Sequence, residues 1–482
     1  MKLLIRNLAF YMLLFIGLSS CEEYLDINDN PYLPQTAPPA LYLPQVIYSM
    51  AEGDMFDSRY VGSITQNWSY GNTGYFSDRH GSSYYSGVQK FRNHYWTIGS
   101  NLNQMVVQGD EVGQPVYSGI AKIIRAYSWQ ITTDHHGELP YIQAWDNTLT
   151  QFDYDSQEFI YGEILKLCDE GIAALSNLSG EIDPDFASSD YIYNGDIEKW
   201  IKFGYAIKAR NLGHLSNKSA FNPDMVISMV DQSFGSVTDN ASVQFAGESS
   251  ATSSFMGPSR GNFNIRYPSS LFVSYLDGTY FNGTEDPRLT LMLNPDENGE
   301  YTGIPPTVGD TAGIATTFYG QYIFNNDDPY PLISYFELQF IKAEAAFIKG
   351  DKGTAYSAFV EGVKSHMEFA GAESAAISNF IANGLPANGE TLTLSDIMTQ
   401  KYIALFTNNE TWSDLRRYDY SSDIFKGFTL PEELSVTNDG KPAQRWYPRQ
   451  YSEVDWNSDA LEEIGGLDPD FNTKPLWFTE AD

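Results

Sequence analysis

Apolar side chains recur every three or four residues along both flanks of this chain, and that spacing predicts helices. Between 115 and 133, Val116, Ile120, Ile124, Tyr127 and Ile131 form one stripe. Between 156 and 176 the stripe is Phe159, Ile160, Ile164, Leu167, Cys168 and Ile172. Between 196 and 216, Trp200, Phe203 and Ile207 face one way while Lys199, Lys202 and Lys208 face the other. Trp96, with Ile98 and Leu102 following, reads as the core side of another helix. Near the C-terminus, Phe336, Phe340, Ala343 and Phe347 lead through Lys349-Gly350-Asp351 to Tyr356, Phe359, Val363 and Met367. This is a helical hairpin of tetratricopeptide-like length, with Gly350 supplying the left-handed residue that ends its first helix. A further helix over 394–406 aligns Met398, Tyr402 and Leu405; Thr407 and Glu410 then have capping-box spacing ahead of Trp412 and Leu415.

Helical stripes vanish between about 235 and 330, where Gly, Asn, Ser and Pro accumulate around Phe255, Phe263, Tyr267, Tyr280 and Phe281. Residues 57–96 have a similar character around Trp68, Tyr70, Tyr75, Phe76, Tyr84 and Tyr85. Both read as long ordered loops laid on a helical scaffold, because their aromatic content supplies apolar anchors that disordered segments lack.

The N-terminus reads as a targeting signal. Lys2 and Arg6 precede the apolar run Leu8 to Leu18, far shorter than the roughly 20 residues a membrane-crossing helix needs, and the run ends in Leu18-Ser19-Ser20-Cys21. This is the pattern of a bacterial lipoprotein signal, with Cys21 as the lipidated residue. The chain thus divides into a signal peptide over 1–20, a polar and Pro-rich lead over 21–38, and one domain over 39–482 carrying the loop-rich insertion. In the lead, Asp26, Asn28 and Asn30 imitate half of a calcium loop, but Pro31 and Ala37 stand where glycine and glutamate are needed, so no metal site is expected there.

Charge narrows the partners. The full chain carries 29 Lys+Arg against 62 Asp+Glu, a net −33; without Lys2 and Arg6 the balance is 27 against 62, or −35. That charge repels nucleic acid, anionic membrane surfaces and acidic polymers, and it favours a neutral ligand. With Cys21 lipidated, Cys168 is the one remaining thiol, and its place on an apolar stripe makes it a small buried hydrophobe. No G-x-S-x-G, H-E-x-x-H, P-loop or paired C-x-x-C occurs, and His135-His136 diverge by about 100° on a helix, so neither an enzyme, a metal centre nor a cofactor is indicated.

Several segments together resemble the SusD/RagB-like outer-membrane lipoproteins of Bacteroidetes, in their second SusD-like subfamily. IAKIIRAYSWQITTDHHGELPYIQAW is similar to the family's helix followed by Gly-x-x-Pro-Tyr, here Gly137, Pro140 and Tyr141. DIEKWIKFGYAIKARNLGHLSN resembles its Trp-containing helix, with Trp200, Lys208 and Arg210. QKYIALFTNNETWSDLRRYDY resembles its Trp-x-Asp-Leu-Arg-Arg signature, with Trp412, Asp414, Leu415, Arg416 and Arg417; Gln400 and Ala404 stand where glutamates are common. The closing RWYPRQYSEVDWN to TKPLWF is similar to the subfamily's tail.

The resemblance implies a mostly α fold of tetratricopeptide-like hairpins with long insertions. It also implies a lipid-anchored outer-membrane protein, directed outward by Glu22 and Glu23, that captures a nutrient for a SusC-like TonB-dependent transporter. Trp412, Asp414, Arg416 and Arg417 are expected to brace the core. A neutral oligosaccharide is the first ligand class and an oligopeptide the alternative. Sugars pack C–H faces on aromatic rings and hydrogen-bond to amides, so QNWSYGNTGYF is the candidate site through Trp68, Tyr70, Asn72 and Tyr75, with Arg266 and Tyr267 as a second cluster.

Overall fold

A computed structural model describes residues 36–82, 86–313 and 315–482. The signal peptide, Cys21, Glu22, Glu23 and the Asp26-to-Asn30 segment lie outside the described residues. Among the described residues, ten helices of ten or more residues form the scaffold: α1 (Leu43–Ile64), α2 (Asn101–Glu111), α3 (Val116–His136), α4 (Gln157–Ser176), α5 (Ile197–Gly213), α6 (Pro223–Gln232), α7 (Tyr335–Lys349), α8 (Lys352–Phe369), α9 (Ser374–Asn383) and α10 (Leu394–Ala404). Most begin where a side-chain oxygen can satisfy an orphan backbone N–H. Ser156 accepts from Phe159 N, Asp196 from Lys199 N, Ser334 from Glu337 N and Asp351 from Thr354 N. Gly350 ends α7 at φ +83°, in the left-handed conformation a β-carbon disfavours.

The helices pack in sequence, α3 on α4, α4 on α5, α5 on α6, α6 on α7 and α7 on α8, with α10 returning against α7. One apolar core runs through them from Ala40 to Trp446 and includes Cys168, fully buried and free. Among the described residues no helix is long and apolar enough to cross a membrane.

The loop-rich insertion is tied to this scaffold by two antiparallel strand pairs. β1 (Trp68–Tyr70) pairs with β3 (Arg266–Pro268), and β2 (Ala241–Val243) pairs with β4 (Tyr330–Ile333). Its phenylalanines are anchors: Phe255, Phe263, Phe318 and Phe324 are buried, and Phe272 stacks on Phe406 at 4.1 Å. Phe272 lies on a short helix, Ser270–Leu276, capped by Ser269, where the sequence showed no stripe. Seven residues are too few to display a helical period.

Two helix-level expectations are corrected. The capping box belongs to Thr393 and Asp396 at the start of α10. Glu410 does not act as a cap for the short helix Glu410–Arg417; its side chain is buried against His214 and Arg210, charged partners that a terminal N–H cannot match. Trp96 is exposed and not core, because Asn93–Ser100 winds as a π-helix between Val88–Arg92 and α2. Its wider turn rotates Trp96 out of the stripe that still buries Ile98 and Leu102.

Buried charges brace the helical ends. Arg417 donates to Glu344 of α7 at 2.6 Å and to Asp414 at 2.6 Å, Lys401 of α10 reaches Asp414 at 2.9 Å, and Arg416 donates to Gln444 O at 2.7 Å. Gln400 accepts from Arg288 at 2.6 Å, a contact open to an amide as well as to a carboxylate.

Candidate functional site

Pairing of β1 with β3 brings the two sequence-nominated clusters together, with Tyr70 opposite Arg266 and Ser69 opposite Tyr267. Most of their side chains, however, face inward. Trp68 is fully buried, edge-on to Phe263 at 5.4 Å and to Phe406 at 5.8 Å. Tyr70 is fully buried, and its N–H donates to Asp78 at 3.0 Å. Arg266 lies 4.5 Å from the Tyr70 ring centre and donates to the Tyr70 hydroxyl and to Asn262 O. The reading of Trp68, Tyr70 and Arg266 as surface contacts is therefore corrected: they anchor the loop. Asn72 is exposed, and Tyr75 and Tyr267 are partly so.

Exposed aromatics gather instead on another face. A groove of about 400 Å³ opens between residues 91–96, 140–152 and 449–457. Trp96, Tyr451 and Trp456 on its walls are 67%, 63% and 73% exposed. The floor is an aromatic stack in which Trp145 meets Tyr95 at 5.9 Å and Trp129 at 6.0 Å. The Trp145 indole N–H donates to Tyr95 O at 2.6 Å, and Tyr95 OH donates to Pro140 O at 3.0 Å, which ties the Gly-x-x-Pro-Tyr turn to the floor.

The backbone around the groove is unusual at three points. Both Asn93–Ser100 and Gln450–Val454 are π-helical. Trp145 sits at φ +64°, a conformation bulky side chains rarely adopt and one that is held here by packing and its indole bond. Gly99 makes this possible, since a β-carbon there would overlap the Trp145 indole. The second wall is pinned to the first by Asn457, which accepts from Phe152 N at 2.8 Å and donates to Phe152 O at 2.9 Å.

Three charged groups line the groove. Arg92 lies 5.2 Å over the Trp96 ring. Arg449 is held below its ordinary value by partial burial and by the charge of Arg92. Glu453 is raised by burial, and the Tyr154 hydroxyl donates to it. Away from the groove, Asp134, His214 and Glu410 bring ligand-type atoms within 4.8 Å of one another in the core. Burial opposes a charged His214, but Glu410 and Asp134 outweigh it and hold the imidazolium at about 9, so the three side chains form a buried ion-pair cluster.

The groove was missed from sequence because its walls lie some 350 residues apart along the chain. The one local signal was the aromatic density of RWYPRQYSEVDWN.

A helical scaffold carrying an open aromatic groove is the architecture on which the comparisons bear. The chain belongs to the second SusD-like family, whose profile, described as starch-binding associating with outer membrane, matches residues 31–447. Comparison with curated proteins finds no match. Similar solved structures include a SusD/RagB family protein from Bacteroides thetaiotaomicron (22% identity, 93% of this chain and all of that one, TM-score 0.73) and a SusD homologue from Bacteroides fragilis (21%, 93% and 100%, 0.74). A chitin-binding protein is similar at 24% identity over 92% of this chain and 99% of its own, with a TM-score of 0.74. At these identities the likeness establishes the shared fold.

Proposed function

We propose that this protein captures oligosaccharides in the groove between Trp96 and Trp456 and passes them to a SusC-like TonB-dependent transporter, held at the outer face of the outer membrane by a lipid on Cys21. The observation that carries the saccharide reading is the trio of exposed rings, Trp96, Tyr451 and Trp456, around a recess large enough for one or two sugar units. Flat rings bury the C–H faces of pyranoses, whereas hydroxyls need donors and acceptors at the rim, which Arg92, Arg449 and Thr150 provide. The membership of a starch-binding family and the chitin-binding relative support a glycan over a peptide. Asn72, Tyr75 and Tyr267 are retained as a secondary contact region for a longer chain.

Titration calorimetry of the full chain in detergent against starch and chitin fragments tests this. Trp96→Ala and Trp456→Ala should each weaken binding at least tenfold while leaving the melting temperature unchanged, because both rings are mostly solvent-exposed. Binding that survives both substitutions refutes the groove as the site.

A further inference from the structure

Resting on that reading, we propose that the groove selects glycans bearing an anionic substituent, a carboxylate or a sulfate, which Arg92 and Arg449 together receive. The net charge of the chain, −33, argues against anions at long range. Within a groove, however, the field felt by a ligand is set by charges inside a Debye length of about 8 Å, so the lining residues decide the local sign. The lining holds two guanidinium groups and one carboxylate.

Glu453 is near enough to Arg449 to favour its charged form, but the pair makes no close contact among the described residues. Among the described residues Arg92 and Arg449 form no salt bridge, although 62 acidic side chains are available in the chain to provide one. Arg449 Nε is buried and donates to no protein acceptor. The one carboxylate of the lining, Glu453, is taken by the Tyr154 hydroxyl, and its burial disfavours the charged form. Arg92 sits over the Trp96 ring at 5.2 Å, a cation–π contact that leaves guanidinium N–H groups able to donate to a ligand.

Two guanidinium groups lining one recess repel each other, and burial adds to the cost for Arg449. An anionic oxygen pair relieves both penalties, and a planar donor fork matches its geometry. Trp96 and Trp456 then pack the sugar ring that carries the anion. The arrangement reads as an aromatic clamp with a cationic end.

The test is titration of the full chain with three matched sets: oligogalacturonides for the carboxylate, sulfated galactan oligosaccharides for the sulfate, and uncharged galacto-oligosaccharides as parent. The expected result is at least tenfold tighter binding of one acidic set than of its parent, with an advantage that shrinks as salt rises from 50 to 500 mM. Arg92→Gln should remove most of that advantage and weaken binding of the parent much less than binding of the acidic set; its exposure protects the fold. Arg449→Gln should act the same way, and Arg449→Lys should keep part of the advantage. Equal or weaker binding of both acidic sets, or a preference that persists in Arg92→Gln and Arg449→Gln, overturns this inference while the saccharide groove stands. Absence of binding by every saccharide, including starch and chitin fragments, overturns both.

Discussion

Raising the pH should loosen this fold through a single buried histidine. His214 sits at the end of α5 with Glu410 against Nε2, the Tyr161 hydroxyl at 3.1 Å from Nδ1, Asp134 at 3.5 Å, and the Phe478 ring stacked at 5.3 Å. Arg210 and Arg416 approach the same carboxylates and temper their pull. Burial works against the imidazolium, yet the two carboxylates raise it from 6.5 to about 9. A folded-state value above the unfolded one means that the stabilisation is complete below pH 6.5 and is lost as the pH climbs through 9. The shift corresponds to about 3 kcal/mol. The depressed value of Glu410 is the same attraction seen from its partner and is not counted again; it fades only as the pH falls below the carboxylate range. Urea unfolding of the wild type and His214→Gln at pH 6, 7.5 and 9.5 measures the effect. The wild type should lose about 3 kcal/mol relative to the variant across that range. Parallel stability curves for the two proteins above pH 6.5 would refute the assignment of a charged His214.

Asp57 offers the opposite case: burial pushes it up to about 7, with Lys90 opposing, and neither oxygen has a hydrogen-bond partner. Its cost grows between pH 3.8 and 7, so Asp57→Asn should raise stability at pH 8 by up to about 4 kcal/mol, read from the urea midpoint. Gly99→Val should drive the Trp145 indole from the floor of the groove, costing about 1–3 kcal/mol by overpacking and weakening saccharide binding; unchanged near-ultraviolet dichroism would contradict it. Arg417→Ala strands Glu344, which then keeps only the Tyr418 hydroxyl among its hydrogen-bond partners, and should cost about 3–5 kcal/mol in chemical denaturation, an effect absent if the signature arginine merely decorates the helix.

How far the sequence could be read depended on the length of the pattern involved. Long stripes such as Val116 to Ile131 repeat often enough to override local noise, so α3, α4, α5, α7, α8 and α10 were all visible in it. Trp96 shows the limit. Its spacing to Ile98 and Leu102 suits an α-helix, but one widened turn reverses its meaning, and nothing in NHYWTIGS announces that turn. The loop aromatics show another limit, since Trp68 in a Gly/Asn/Ser setting looks the same whether it faces solvent or anchors the loop. Burial was decided by Phe263 and Phe406, roughly two and three hundred residues away. The groove was hidden for a similar reason: its walls meet only after the helices between them have packed.

That assembly separates scaffold from selectivity. The family-matched region ends at 447, and the second wall, Arg449 to Asn457, comes directly after it. Among the described residues this wall is tied to the neighbouring loop by the Asn457–Phe152 pair and by the Tyr154 hydroxyl on Glu453, and none of its side chains belongs to the main apolar core. With saccharide bound as proposed, a short exchange in this stretch would redraw what the groove accepts without disturbing the helices beneath. On the proposed reading the architecture is a tool handle with an interchangeable bit, the bit being the stretch from Arg449 to Asn457.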